Sequence, residues 1–429
     1  MKTEIRKETL DCGAVLLVEP LPHLLTTSIG FTIAYGSRCE PENMYGAAHF
    51  IEHMIFKGTP GMGPRDLALA IESVGGSIGA AASEEKTYCY ARVLPEHLGI
   101  AVDIISDMFC RSTFPLNEFD LEKEVILEEI KAHEDTPEEL VLDQHLEDIY
   151  GNSGLGHSIL GEESTINNIT RDSLFDLYKK IYRPSHAIIS VAGNTGDIDI
   201  ASLINKALSP DGGQPCHVLE SPPSPPDFTT KIRLRNRDTH QTQLCLGAPG
   251  VEYHNEKRYV YTLLDVILSG GMSSRLFQEI RERRGLVYDI SSMNTCFIDS
   301  GFFTIMAGTR PENLIDVLSA TTDELLKVKD GDVSEQELDR VKEMLRVSIS
   351  MSFESVTSRM MKLARSQIYY GRPVTDEEIF DSISAVTVED ITIAANEIFR
   401  PGTFVFSALG PFENPADTES RIIDILDRY

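Results

Sequence analysis

A chain of 429 residues exceeds one ordinary hydrophobic core, so two or three domains are expected, and its hydrophobic and charged fractions are those of a soluble globular protein. The formal charge of −28, from 67 acidic against 39 basic residues, argues against a nucleic-acid partner, because phosphate contact needs clustered Lys and Arg. Seven scattered cysteines, odd in number and never in a C-x-x-C pair, argue against a disulfide framework or a cysteine zinc knuckle, and a reducing, cytoplasmic setting is expected.

In chain order, the N-terminus "MKTEIRKETLDCG" interleaves acids with bases and carries no readable secretory signal or transit peptide; a mature form whose leader has gone would read the same way. No run reaches the roughly eighteen apolar residues of a membrane span, so no membrane partner is expected. "TTSIGFTIAYG" (26 to 36) alternates apolar and polar residues and predicts a half-buried strand. Residues 43 to 57 predict a helix with Asn43 as its N-cap.

That helix contains "AAHFIEHMIF", two histidines four apart with a glutamate just before the second. With about 100° per residue, His53 lies near +40° and Glu52 near −60° of His49, while Phe50, Ile51, Met54 and Ile55 point elsewhere. Two imidazoles one turn apart can chelate one zinc ion, and the adjacent carboxylate is placed to act as a general base. The order H-x-x-E-H is the inverted form of H-E-x-x-H and a zinc-peptidase motif. The plain alternative is a pair of satisfied core histidines, and zinc catalysis still requires a third protein ligand.

"TYCYARVL" (87 to 94) predicts a strand leading into the helix "PEHLGIAVDIISDMF", followed by a helix over 115 to 135. Setting Leu116 at 0°, Glu122 and Glu129 fall near 240° and 220°, between Val125 and Ile126 at about 180° and 280°. An unpaired carboxylate there is costly, which Glu129 as a ligand and Glu122 as its support would answer. Glu124, Glu128 and Glu134 read as an ordinary solvated face, and His133, one turn beyond Glu129, is a weaker rival ligand.

Residues 209 to 228, crowded with Pro, Gly and Ser, form the linker between an N-terminal domain, 1 to 208, and a C-terminal domain, 229 to 429. Beyond it "GFFTIMAG" (301 to 308) leads into "RPENLIDVLSATTDELL" and then a helix over 334 to 352, the same order as in the first half. The two Pro-Glu-X-Leu helix starts, at 95 and 311, lie 216 residues apart, so a duplicated unit of about 200 residues is expected. The predicted class is α+β: two homologous domains, each a mixed or antiparallel sheet covered on one face by helices.

Three stretches, "HFIEHMIFKGT" (49 to 59), "EKEVILEEI" (122 to 130) and "GGMSSRLFQEIRERRGLVYDI" (270 to 290), resemble the peptidase family of pitrilysin, insulysin and mitochondrial processing peptidase, in a short-chain bacterial-type form. The 76 positions from His53 to Glu129 fit that family's long gap, and the resemblance covers nearly the whole chain. It implies a processing-peptidase-like metallohydrolase fold in which His49, His53 and Glu129 bind zinc, Glu52 is the general base and Glu122 orients the site. It also matches Arg281 and Tyr288 to a pair that donates hydrogen bonds to the tetrahedral oxyanion. Read without the family, Arg281 is one more arginine beside Arg283 and Arg284, and Tyr288 a strand residue. Where the family commonly has Asn-Ala on its substrate-binding edge strand, this chain has Gly79, Ala80 and Ala81. Main-chain pairing with a peptide needs no side chain. The missing Asn bears on how the scissile bond is positioned.

The second half has no H-x-x-E-H, so one zinc ion per chain is expected. The resemblance implies a zinc endopeptidase that hydrolyses short or unfolded peptides in an enclosed chamber, as a homodimer in which Arg281 and Tyr288 of one chain complete the zinc site of the other. Two rivals stand beside it: a non-catalytic partner of a related complex, and a processing peptidase dedicated to one leader peptide. A related metal-free subunit could also replace the second copy. The acidic excess would suit basic peptides or a merely solvated exterior equally.

Overall fold

A computed structural model describes residues 5–213 and 223–427. It divides into two compact units, made of the described residues among Met1–Lys131, His157–Pro222 and Ser350–Val374, and among Ala132–Gly156, Pro223–Ile349 and Thr375–Tyr429. Of the expected linker, residues 214–222 lie outside the described residues, and the flanking 209–213 and 223–228 have no helix or strand. Among the described residues no helix is long and apolar enough to cross a membrane.

The first unit is built on a six-stranded sheet of β1 (Arg6–Thr9), β2 (Val15–Pro20), β3 (Thr27–Ile33), β4 (Ser77–Ala82), β5 (Thr87–Val93) and β6 (Ile188–Gly193). Its order is β1-β2-β6-β3-β5-β4. Only β2 and β6 run parallel, and β4 is an edge strand paired to β5 alone. The second unit contains β7 (Lys231–Asn236), β8 (Thr242–Pro249), β9 (Val287–Cys296), β10 (Gly301–Thr309) and β11 (Val405–Gly410), in the order β7-β11-β8-β10-β9 with β7 and β11 parallel. Apart from the extra β1, the two sheets share one topology, as the 216-residue echo predicts.

Helices cover the central strands on both faces rather than on one. In the first unit β3 and β6 are buried at every residue, the continuous pattern of a strand that sees solvent on neither side. Ile29, Phe31 and Ile33 join a core with Leu98, Phe109 and their neighbours. Ser28 and Gly30 face the other way, toward the Val356–Tyr370 helix: Ser28 Oγ lies 2.8 Å from Thr357 Oγ1, and a Cβ at Gly30 would strike the Met360 sulfur. The Pro137–Tyr150 helix covers β8 and β11 of the second unit in the same way, with His145 against Gly247 and Ser407. Each unit thus takes its second covering helix from the other half of the sequence. A linear division at 209–228 does not express this exchange, because the helices that follow Leu116–Glu134 and Glu335–Ser352 are each given away.

Candidate metal centre

The helix expected over 43 to 57 spans only Ala47–Met54, and its N-cap is Gly46 at φ 92°, not Asn43. A short 3₁₀ turn at Glu42–Met44 precedes it. The orphan amides of the first helical turn are met by a distant side chain. Glu40, buried, accepts from Ala48 N–H (2.5 Å) through Oε1 and from Gly46 N–H (2.8 Å) through Oε2. A carboxylate at this end also suits the helix dipole. Burial raises its proton affinity, opposed by His157, whose Nε2 lies 3.4 Å away, and by the two amides. The His157 ring is in turn stacked on Tyr45, with centroids 3.6 Å apart.

Ala47, Ala48, Phe50, Ile51 and Met54 are buried in the first unit's core, while His49, Glu52 and His53 stay partly accessible. The helix over 115 to 135, observed as Leu116–Glu134, brings its acids to them. Glu129 Oε2 lies 3.7 Å from His49 Nε2 and 3.7 Å from His53 Nε2, with its side chain 42 % accessible. The imidazole centroids are 4.5 Å apart, and one donor atom from each of the three residues lies within 4.8 Å of the others. Glu122, only 8 % exposed, accepts from His53 Nδ1 at 2.9 Å, so that nitrogen carries a proton and Nε2 is the one turned to Glu129. Glu124 and Glu128 are exposed, as the solvated-face reading expects. His133 does not join the cluster; it lies 3.4 Å from Asp143.

Two nitrogen donors and one carboxylate oxygen form the donor set of a catalytic zinc site with one position left open, so these residues fit the ion. Burial, helped by the neighbouring His53, lowers the His49 pKa to about 4, which keeps its lone pair free at neutral pH. Burial raises the Glu52 pKa; His53 opposes the shift and Glu129 adds to it. A raised proton affinity brings a carboxylate closer to what a group that takes and returns a proton requires.

Gly79, Ala80 and Ala81 lie on the edge strand β4, where Gly79 pairs with Tyr90 and a Cβ would come within 3.0 Å of that ring. Tyr88, whose pKa is raised by burial, then by Tyr90 and by the charge of Glu52, shares this sheet with it. In the second unit, Arg281 sits on a π-helical segment, Phe277–Arg283, with its guanidinium 4.5 Å from the Phe277 ring centroid and 5.4 Å from that of Tyr288, which is 80 % exposed. Arg283 and Arg284 pair with Glu279 instead. The sequence reading missed Glu40, which no spacing marks, and Lys57, whose Nζ donates to Glu122 Oε1 at 2.5 Å. Lys57 lies beyond the end of the Ala47–Met54 helix, so no helical spacing marks it either.

Two family models match the chain: "Insulinase (Peptidase family M16)" over residues 17–163 and "Peptidase M16 inactive domain" over 168–345. An uncharacterized zinc protease of Bacillus subtilis, YmxG, is 36% identical over 395 residues, covering 92% of this chain and 96% of that protein. A second relative named as an uncharacterized zinc protease, from Streptomyces coelicolor, is 32% identical, covering 96% and 90%. In fold, the crystal structure of a protease from Helicobacter pylori is similar with a TM-score of 0.89 at 20% identity, covering 95% of this chain and all of that one. Relatives matched over almost their whole length, together with two family models in tandem, mean that the chain belongs to the insulinase family of peptidases, family M16.

Proposed function

We propose that the protein is a zinc-dependent endopeptidase acting on short or unfolded peptides in an enclosed chamber, with one zinc ion per chain. The observation that carries the reading is the convergence of His49, His53 and Glu129, far apart in the chain, with one donor atom each within 4.8 Å of the others. Zinc held by these three supplies Lewis-acid polarisation of the scissile carbonyl and acidifies water at the site. Glu52, in the partly desolvated environment that raises its proton affinity, takes the proton of the attacking water and returns it to the leaving amine. Glu122 holds the His53 tautomer. The edge strand β4 takes the peptide as an added strand through its main chain at Gly79 to Ala81, a mode that needs no Asn side chain. Arg281 and Tyr288 donate to the developing oxyanion from a second copy of the chain, in a homodimer.

The direct test is metal content together with cleavage of a quenched peptide, with and without a chelator. Zinc near one per chain and chelator-sensitive cleavage support the proposal; zinc well below one per chain and no cleavage would favour a non-catalytic partner subunit. For the dimer, a His49→Ala chain mixed with an Arg281→Ala chain should regain activity. Two inactive proteins that stay inactive together would argue for completion within one chain or by another subunit. Peptides cut by the wild type and spared by Glu52→Gln would separate a general peptidase from one dedicated to a single leader.

A further inference from the structure

Of the two imidazoles, only His53 has its second nitrogen held: His49 Nδ1 is buried with no hydrogen-bond partner among the described residues, while His53 Nδ1 donates to Glu122 Oε2 at 2.9 Å. The direction of the His53 ring therefore depends on how firmly that one carboxylate is held. Glu122 is buried, and its second oxygen lies 2.5 Å from Lys57 Nζ. The Lys57 side chain is itself only 24 % accessible, and it follows the helix that carries both histidines. Lys57, Glu122 and His53 thus form a closed relay: the backbone that positions His53 also positions the lysine that locks the carboxylate that orients His53.

Resting on the zinc reading above, we propose that Lys57 is a positioning residue of the metal centre, acting through Glu122 to aim His53 Nε2 at the ion. Two physical effects of the lysine pull in opposite directions. As a bare positive charge near a divalent cation it weakens zinc binding, and it also draws off negative charge that would make the His53 imidazole a better donor. As a hydrogen-bond donor it fixes Glu122, and loss of such outer support commonly costs 10- to 100-fold in metal affinity. Removing the lysine therefore tightens zinc if charge is its main role and loosens it if orientation is. The geometry points to orientation, because a half-held carboxylate in a buried site is free to turn from His53.

The test is zinc affinity by competition with a chromophoric chelator, on Lys57→Met, Lys57→Gln, Lys57→Arg and Glu122→Gln, with circular dichroism to show that each variant folds. We expect Lys57→Met to bind zinc roughly tenfold more weakly. Lys57→Gln, which keeps a donor without a charge, and Lys57→Arg should recover most of that loss. In the Glu122→Gln background, Lys57→Met should change affinity less than twofold. Unchanged or tighter zinc in Lys57→Met overturns the proposal, as does an equal loss in the Glu122→Gln background. Should Lys57→Met fail to fold, Lys57→Ala, which also removes the donor, is read in the same cycle with the same two outcomes. A wild type that binds no zinc would instead sink the zinc reading itself, so the two failures are distinct.

Discussion

The two repeats put different chemistry on one scaffold. At the 216-residue offset, His49 and His53 correspond to Asp265 and Ser269 on the Arg258–Ser269 helix, and Glu52 to Leu268. The burial pattern agrees, since Ala47, Ala48 and Ile51 correspond to Leu263, Leu264 and Ile267, all buried. Setting Phe119 of the Leu116–Glu134 helix against Leu338 of the Glu335–Ser352 helix, and Lys123 against Lys342, replaces Glu122 by Val341 and Glu129 by Ser348. On the edge strands, Ala80 pairs with Cys89 and its counterpart Ser292 pairs with Ile305. There the second repeat closes on itself. Ser292 donates its hydroxyl to Asp265 and its N–H to Ser269 Oγ at 2.7 Å, binding helix to edge strand. The first repeat has His49, His53 and Ala80 at the same positions, and its two imidazoles turn instead to Glu129 on the Leu116–Glu134 helix. A candidate metal centre and an internal latch therefore differ by a handful of side chains.

The largest expected break in this comparison is loss of Glu52. Glu52→Gln should lower peptide hydrolysis by about 10³-fold or more, equivalent to about 4 kcal/mol, while zinc content measured by mass spectrometry stays near that of the wild type. Its counterpart Leu268→Glu should give the second repeat no activity, since among the described residues no ligand set surrounds it.

A smaller effect separates the exchanged helices. Gly30 of the first unit receives the Met360 thioether, which cannot titrate, whereas Gly247 of the second receives the imidazole of His145, whose pKa burial lowers to about 4, with Asp148 opposing and Arg235 adding to the shift. An unfolded His has a pKa near 6.5, so below that value the unfolded state binds more protons. The stability contribution is full above about pH 6.5 and is lost as pH falls toward about 4, by a few kcal/mol at about pH 4.5. Asp265, pushed up to about 6 by burial against the Ser292 hydrogen bond, has the opposite sign: its ionisation costs stability above that value and the cost fades on acidification. The measurement is therefore the difference in urea stability between wild type and His145→Gln at the two pH values. An acid loss of equal size in both proteins would remove His145 as the cause.

The smallest effect concerns the latch. Ser292→Ala removes a hydroxyl that serves Asp265 and sits 2.7 Å from Ser269 Oγ, and should cost about 1 to 2 kcal/mol, read as a lower urea midpoint at constant slope. No change would mean that water replaces the hydroxyl and that the latch is incidental.

The Leu116–Glu134 and Glu335–Ser352 helices and the strands over Thr27–Ile33, Thr87–Val93 and Gly301–Thr309 were legible, because each rests on periodicity within one segment, and so was the doubling, because two distant segments repeat one order of elements. So was the facing of His49, Glu52 and His53, since residues three and four apart on a helix must share a side. The start of that helix was misplaced, because Gly46 and the carboxylate of Glu40 set it and neither follows from local propensity. The second cover of each sheet was missed for the same kind of reason: nothing local in the Val356–Tyr370 and Pro137–Tyr150 helices says against which sheet they pack.

What the sequence determined alone is the donor chemistry and its helical spacing, since 3.6 residues per turn puts two imidazoles and a carboxylate together in any context. What only the tertiary structure decided is the meeting with Glu129, the bracing of His53 by Glu122 and Lys57, and the exchange of helices between units. These join residues whose approach depends on burying two helices and a sheet around one core, a free-energy balance over the whole unit that no local spacing contains.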